Sequence, residues 1–309
     1  MNGSDLYDPA PARGWLPWGA LAPILGLAFI IATQLAAYPL IEPLDGIDAA
    51  GSPTSTQGLL VLTLVPFGLL WLVVLGWVRF VERRPFTSIG LIGNRKARTF
   101  TTGVGIGVGS ISLVVALIAL AGGIHATGAP RAWATPSTLP GIALLLIGFA
   151  VQASVEELLF RGWLLSVLAR KFNVLAAVIA SSLLFALVHF TRGEPWLVNV
   201  NDFVFGLFAC TWALRTRNIL GVMGWHTGWN WLLAVGFGLP LTGLDVGIPA
   251  LLVDLEPTGP GWLTGGAEGP EGSIVTFVCF AVAAAGSVLI GRKRRRAILD
   301  QPGKSSIAS

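Results

Sequence analysis

Apolar residues fall along this chain in long blocks parted by short polar stretches, rather than at the i, i+3, i+4 spacing of a one-sided helix. Eight blocks stand out, near residues 16–40, 58–80, 101–122, 140–170, 174–190, 197–214, 219–236 and 273–291. At 1.5 Å of rise per residue, about 20 helical residues cross the ~30 Å hydrocarbon core of a bilayer. The pattern therefore predicts an all-α polytopic membrane protein, a bundle of about eight transmembrane helices. The first block is too long for the core of a cleaved signal and follows acidic Asp5 and Asp8, so it is expected to remain as the first helix.

Composition supports lipid as the solvent. Only 12% of the 309 residues are charged and 54% are apolar, with a mean hydropathy of +0.74, whereas a soluble domain carries about 25% charged residues. Disordered, collagen-like and disulfide-scaffold classes are excluded. Cys210 and Cys279 lie inside apolar blocks and form no CxxC pair, so neither redox nor structural zinc chemistry is signalled.

Charge placement orients the bundle. Seventeen of the 20 Lys and Arg residues fall on one side: Arg13, Arg79 to Arg98, Arg170, Lys171, Arg215, Arg217, Arg292 to Arg296 and Lys304. Arg131 and Arg192 fall opposite, and Arg161 lies within a span. The stretches 41–57 and 237–272 carry eight acids between them and no Lys or Arg. Basic residues concentrate on cytoplasmic loops, so a multi-pass protein with both termini cytoplasmic is expected, in the plasma membrane. The basic run at 292–296 flanks a final helix and reads as an anchor to anionic lipid; no nucleic-acid partner is expected. Gly103, Gly105, Gly107 and Gly109 miss the dinucleotide-binding spacing, and Gly103 with Gly107 fits close helix–helix packing instead.

Against this background six polar residues stand out: Glu156, Glu157, Arg161, His189, His226 and Asn230. A charged residue at mid-membrane costs about 2.5–3.5 kcal/mol, and such residues face a bundle interior or a wet cavity. Glu157 and Arg161 are i,i+4 on one helical face, in the favourable order for an ion pair. Glu156 points about 100° away, which leaves it for proton chemistry. His226 and Asn230 share a face, as do Phe185 and His189, with Phe185 expected beneath the imidazole. Singly, each has a bland explanation as a buried ion pair or as interhelical glue. Together, two carboxylates, two imidazoles and an amide in so apolar a chain point to a site. His125, in a glycine-rich loop, is given no role. For Glu156 to reach His189 at the far end of the next helix, the fourth helix must run on to about Arg170, bent or tilted.

Glu156-Glu157-Leu158-Leu159-Phe160-Arg161 has the form EExxxR, Phe185 to His189 the form FxxxH, and His226 to Asn230 the form HxxxN. In this order and spacing, with Asn218-Ile219-Leu220 ahead of the last motif, the chain resembles the CPBP family. These are the CAAX proteases and bacteriocin-processing enzymes also called the Abi family, with the type II CAAX prenyl endopeptidases among them. The resemblance covers 140–236 and divides the chain into helices one to three (1–139), a protease core of helices four to seven (140–236), and an outer loop, eighth helix and basic cytoplasmic tail (237–309). It implies peptide-bond hydrolysis inside the membrane, on a peptide or protein substrate entering from the membrane or the cytoplasm. The residue types suit that chemistry. Glu156 can take a proton from water with His189 holding the water, His226 and Asn230 can donate to the oxyanion, and Glu157 with Arg161 can fix the geometry. Zinc held by Glu156, His189 and His226 is the alternative; the lack of HExxH tilts the choice slightly toward a metal-free site. Two other classes compete: a proton-coupled transporter, and a non-catalytic immunity or scaffold protein.

Overall fold

Each apolar block folds into a helix because a backbone in lipid has to satisfy its own hydrogen bonds. The computed structural model describes residues 6–7, 11–48, 52–190, 195–245 and 247–299, with side chains up to 290. Asp5, Asp8, Arg192, Lys304 and the side chains of the 292–296 run lie outside the described residues.

The helices are α1 (Leu21–Ile41), α2 (Thr56–Gly76), α3 (Lys96–Leu120), α4 (Leu139–Glu157), α5 (Val174–His189), α6 (Trp196–Thr216), α7 (Leu220–Trp231) and α8 (Ile274–Leu299). Among the described residues, five helices are long and apolar enough to cross a membrane: α1, α2 with its extension to Val81, α3, α4 with its extension to Lys171, and α6. The chain is an integral, all-α polytopic membrane protein. Helix α5 and the apolar part of α8 are shorter. Helix α7 is buried at almost every position, which suits the centre of a bundle rather than its lipid face. Capping is local chemistry: Ser55 Oγ accepts from Gly58 N at 3.0 Å, and Asn173 Oδ1 accepts from Ala176 N at 2.9 Å.

The burial pattern is that of a protein turned toward lipid. Leu72, Phe80, Leu120 and Leu187 stand 61–85% exposed, while Glu157 and Arg161 are fully buried. As expected, α4 does not stop at Glu157. It continues through a π-helical stretch (Leu158–Leu164) into a further α-helical segment (Leu165–Lys171), which carries Glu156 to the middle of one long helix.

Helix α7 is seated by glycine. Gly103 and Gly107 of α3 face the Gly221 and Trp225 carbonyls, and Gly224 and Gly228 of α7 face the Phe100 and Val104 carbonyls. A Cβ at any of the four would overlap a backbone oxygen, so these two helices touch backbone to backbone. The α3 half of this contact is legible in the sequence; the Gly224-x-x-x-Gly228 half carries the same spacing.

The two ends of the bundle differ. At one end Tyr7 Oη donates to the Arg161 carbonyl at 2.6 Å, Arg217 reaches the Tyr7 carbonyl, Ile219 N donates to Gly90 O, and Asn218 Nδ2 donates to Ile92 O. Buried there too, Glu82 takes Trp163 Nε1 and Trp77 Nε1 on one oxygen and Arg84 on the other. Arg84, which the charge pattern places with a solvated basic belt, is in fact buried. At the other end β1 (Ile124–Gly128) pairs antiparallel with β2 (Asp254–Pro257), bringing His125 opposite Glu256. Arg131, an exception to the basic asymmetry, is held at that end by Asp254 at 2.8 Å.

Candidate active site

Four elements meet around Glu156 and Glu157. On α4, Arg161 Nη1 lies 3.2 Å from Glu157 Oε1, the expected pair one turn apart. The guanidinium is sandwiched between the rings of Phe185 from α5 (4.4 Å) and Phe205 from α6 (4.8 Å). Two aromatic faces thus share a fully buried cation. From α7, His226 Nδ1 donates to the same Glu157 oxygen at 3.0 Å, while its Nε2 stands 3.9 Å from Glu156 Oε2. Glu157 is therefore held from two sides, and His226 is fixed with Nε2 toward the other carboxylate.

Glu156 is held differently. Its Oε1 accepts from Gln152 Nε2 at 2.6 Å, one turn back on α4. Gln152 Oε1 in turn accepts from Asn230 Nδ2 at 3.1 Å, so Asn230 reaches Glu156 through an amide relay. Glu156 Oε2 and Asn230 Oδ1 are buried and make no hydrogen bond within the described residues. His189 stacks on Phe185 as expected, 4.2 Å between centroids, with Nδ1–H donating to the Phe185 carbonyl at 2.8 Å. That bond fixes the tautomer and leaves the Nε2 lone pair free.

Cavities explain why this asymmetry matters. Glu156 and His189 together line three of them, the largest about 250 Å³, whereas Glu157 lines none of the three. One cavity is walled by Gln152, Phe205, His226 and Asn230 and roofed by the segment after α7, through Thr242, Glu268 and Glu271. Glu271 accepts from Trp229 Nε1 at 2.9 Å and from Thr242 N at 3.0 Å, which straps that roof to α7. Burial pushes its carboxyl above the usual carboxylate range, against the opposing pull of the Trp229 indole.

The structure thus brings Glu156, Glu157, Arg161 and His226 into one cluster, joins His189 to it across shared cavities, and links Asn230 through Gln152. Gln152, Phe205, Trp229 and Glu271 belong to the site and were not singled out from sequence. The spacing Gln152 to Glu156 repeats the i,i+4 rule and marks the first; the others come from elements whose polar or aromatic residues have no distinctive pattern. Among the described residues, no group of three or more His, Cys, Asp or Glu side chains is spaced to hold a metal ion as it stands; His226 and His189, with Nδ1 on Glu157 and on the Phe185 carbonyl, each present Nε2 as the remaining ligand atom.

Residues 137–232 match the family described as Type II CAAX prenyl endopeptidase Rce1-like. All three motifs and Gln152 fall inside the match. No curated protein and no solved structure gives a significant match. The matched segment, under half of the chain, supports an assignment to the CPBP/CAAX proteases, with the general activity of an intramembrane endopeptidase, a hydrolase acting on a protein or peptide substrate.

Proposed function

We propose that this chain cleaves a peptide bond with a water molecule activated by Glu156. The observation that carries the proposal is the unequal treatment of adjacent carboxylates. Each keeps one oxygen without a hydrogen bond, but Glu157 is engaged by Arg161 and His226 and lines none of the three cavities, while Glu156 takes only the neutral Gln152 amide and faces the cavities it shares with His189.

In this mechanism Glu156 takes a proton from water as the water oxygen attacks the substrate carbonyl carbon. The water is oriented by the free Nε2 of His189. Negative charge gathers on the carbonyl oxygen, and donors aimed at that position stabilise it in a water-poor site. Asn230 supplies one by turning its Nδ2 away from Gln152; His226 supplies another when its Nε2 carries a proton. Collapse breaks the C–N bond, and the leaving nitrogen receives the proton held by Glu156. Glu157 and Arg161 do not touch substrate; they set the tautomer and orientation of His226. The core is residues 140–236, with both termini in the cytoplasm and the protein in the plasma membrane.

Purified protein should release cleaved products from a peptide library. Glu156→Gln should abolish release while the fold stays nearly intact, because the amide still packs against Gln152. Glu157→Gln should lose activity and thermal stability together, since removing one partner of a buried pair costs about 3–5 kcal/mol. Equal stability losses in the two variants would refute the division of roles.

A further inference from the structure

We infer that the active site opens on the face of the membrane opposite the arginine and lysine belts, the non-cytoplasmic face, and that its substrates are segments of exported or membrane-inserted proteins that reach that face. The inference rests on the proteolytic proposal for its substrate class, but its geometry stands separately.

Of the three cavities lined by both Glu156 and His189, two are built from the end of the bundle away from the basic residues and the third lies at mid-helix. On α1 the lining includes Gln34, past mid-helix, and on α2 Leu59, Leu62 and Thr63, near its start, while the mid-helix cavity also takes Ile30, Phe67 and Leu70. Helix α6 contributes from its first turns, through Val198 and Asn201, and the roof is the 237–272 segment. No Lys or Arg lines any of these cavities. The cavity at the basic end, walled by Arg13, Arg79, Arg83 and Arg84, contains none of the site residues.

Beyond Phe160, where the mid-helix cavity ends, α4 packs toward the basic end without lining any of the three. All residues from Leu158 to Ala169 are buried. At 1.5 Å per residue, α4 from there to Lys171 is about 20 Å of packed protein. Tyr7 on the Arg161 carbonyl, Arg217 on the Tyr7 carbonyl, and Ile219 on Gly90 tie loops across the bottom of that layer. The positive-inside rule then fixes the sides: the basic end is cytoplasmic, and the roof of the 237–272 segment, with acids and no Lys or Arg, is outside. A chain terminus in the cytoplasm would have to cross the sealed layer to reach Glu156; a segment at the outer leaflet would not.

The test is side-specific thiol labelling in a full-length Cys210→Ser, Cys279→Ser background. Single cysteines go in at Thr242, Val198 and Gln34, on the cavity walls, and at Arg215 on the basic end. A charged, membrane-impermeant methanethiosulfonate is added to right-side-out and to inside-out membrane vesicles. Thr242→Cys, Val198→Cys and Gln34→Cys should be modified in right-side-out vesicles and stay unmodified in inside-out ones, with Arg215→Cys the reverse. Modification of the cavity cysteines only in inside-out vesicles, or equally from both sides, would overturn the inference. Thr242 and Gln34 are exposed, so the result survives if Val198→Cys fails to fold. Labelling does not depend on turnover. A protein that labels as expected yet cleaves nothing would remove the protease and leave the outward opening, and an active enzyme labelled from the cytoplasm would do the opposite.

Discussion

The bundle buries two clusters of glutamate and arginine, and they are built to opposite specifications. Around Glu82 both oxygens are taken, one by the indoles of Trp77 and Trp163 and one by Arg84, whose guanidinium also donates to Ser166. Around Glu156 and Glu157 the accounts stay open. One oxygen of each carboxylate, and Nε and Nη2 of Arg161, are buried without a hydrogen bond within the described residues. A buried charge is tolerable when every lone pair and proton is matched. Glu82 comes closer to that condition, with Arg84 Nη2 the one group of its cluster left to an ion pair without a hydrogen bond, and it acts as a bolt between the α2–α3 connection and α4. The second cluster falls short of it beside a cavity, where substrate and water can supply what the protein withholds.

Substitutions can break this contrast. The largest effect is expected for Glu82→Ala, which strands Arg84 and two indoles in a closed site. Unfolding in detergent should show a loss of about 3–5 kcal/mol, with activity per folded molecule unchanged. Asn230→Ala should do the reverse, lowering kcat by about 10²–10³-fold, or roughly 2.7–4 kcal/mol, with little change in KM and a smaller fall in Tm than Glu82→Ala. Asn230→Asp sharpens it, since a carboxylate would face the developing oxyanion. If both Asn230 variants keep near-full turnover, or both fail to fold, the oxyanion role is wrong.

Gly107→Ala tests the frame that both clusters depend on. A Cβ there overlaps the Trp225 carbonyl, and overpacking of this kind costs about 1–3 kcal/mol. Because α7 carries His226 and Asn230, turnover should fall along with stability, whereas Gly105→Ala, whose Cβ meets open space, should change neither.

The smallest effect belongs to the half-buried acid of the roof. Glu271 has its carboxyl raised by burial, so between the ordinary carboxylate value and its own the folded form binds more protons than the unfolded. Stability contributed there is present at lower pH and declines as pH rises through that window. Its slope is a fraction of ~1.4 kcal/mol per pH unit. Glu271→Gln should flatten that slope in thermal melts between acid and neutral pH; an unchanged slope would assign it elsewhere.

Much of this was legible because lipid makes polarity conspicuous. Glu156, Glu157, Arg161, His189, His226 and Asn230 show against apolar neighbours, and their i,i+4 spacings fix who shares a face before any fold is known. Gln152 was not legible, since a single neutral amide in an apolar helix costs too little to draw notice. Phe205 could not be told from a core aromatic, although it backs Arg161 and His226. Glu271 comes from a stretch with no periodicity, and only the path of the chain sets it beside Trp229. The buried Glu82–Arg84 bolt was masked by its neighbours Arg79 and Arg83, because a charge count carries no information about burial.

The π-helical stretch from Leu158 to Leu164 begins at the residue after Glu157. Such stretches hold one residue more than an α-helix would place in the same span. The helix before it, bearing Gln152 and the two glutamates, and the helix after it, bearing Ser166 and the basic end, are therefore phased independently, like two gears separated by a single extra tooth. Loss of one residue anywhere in the stretch would mesh them again into a regular α-helix. Everything beyond would then keep its place, with Ser166 still on Arg84, whereas the same deletion in a regular α-helical stretch would turn everything beyond it by about 100°. The stretch is thus a length buffer between site and bolt, where a one-residue deletion is absorbed that would, a turn earlier, rotate one out of register with the other.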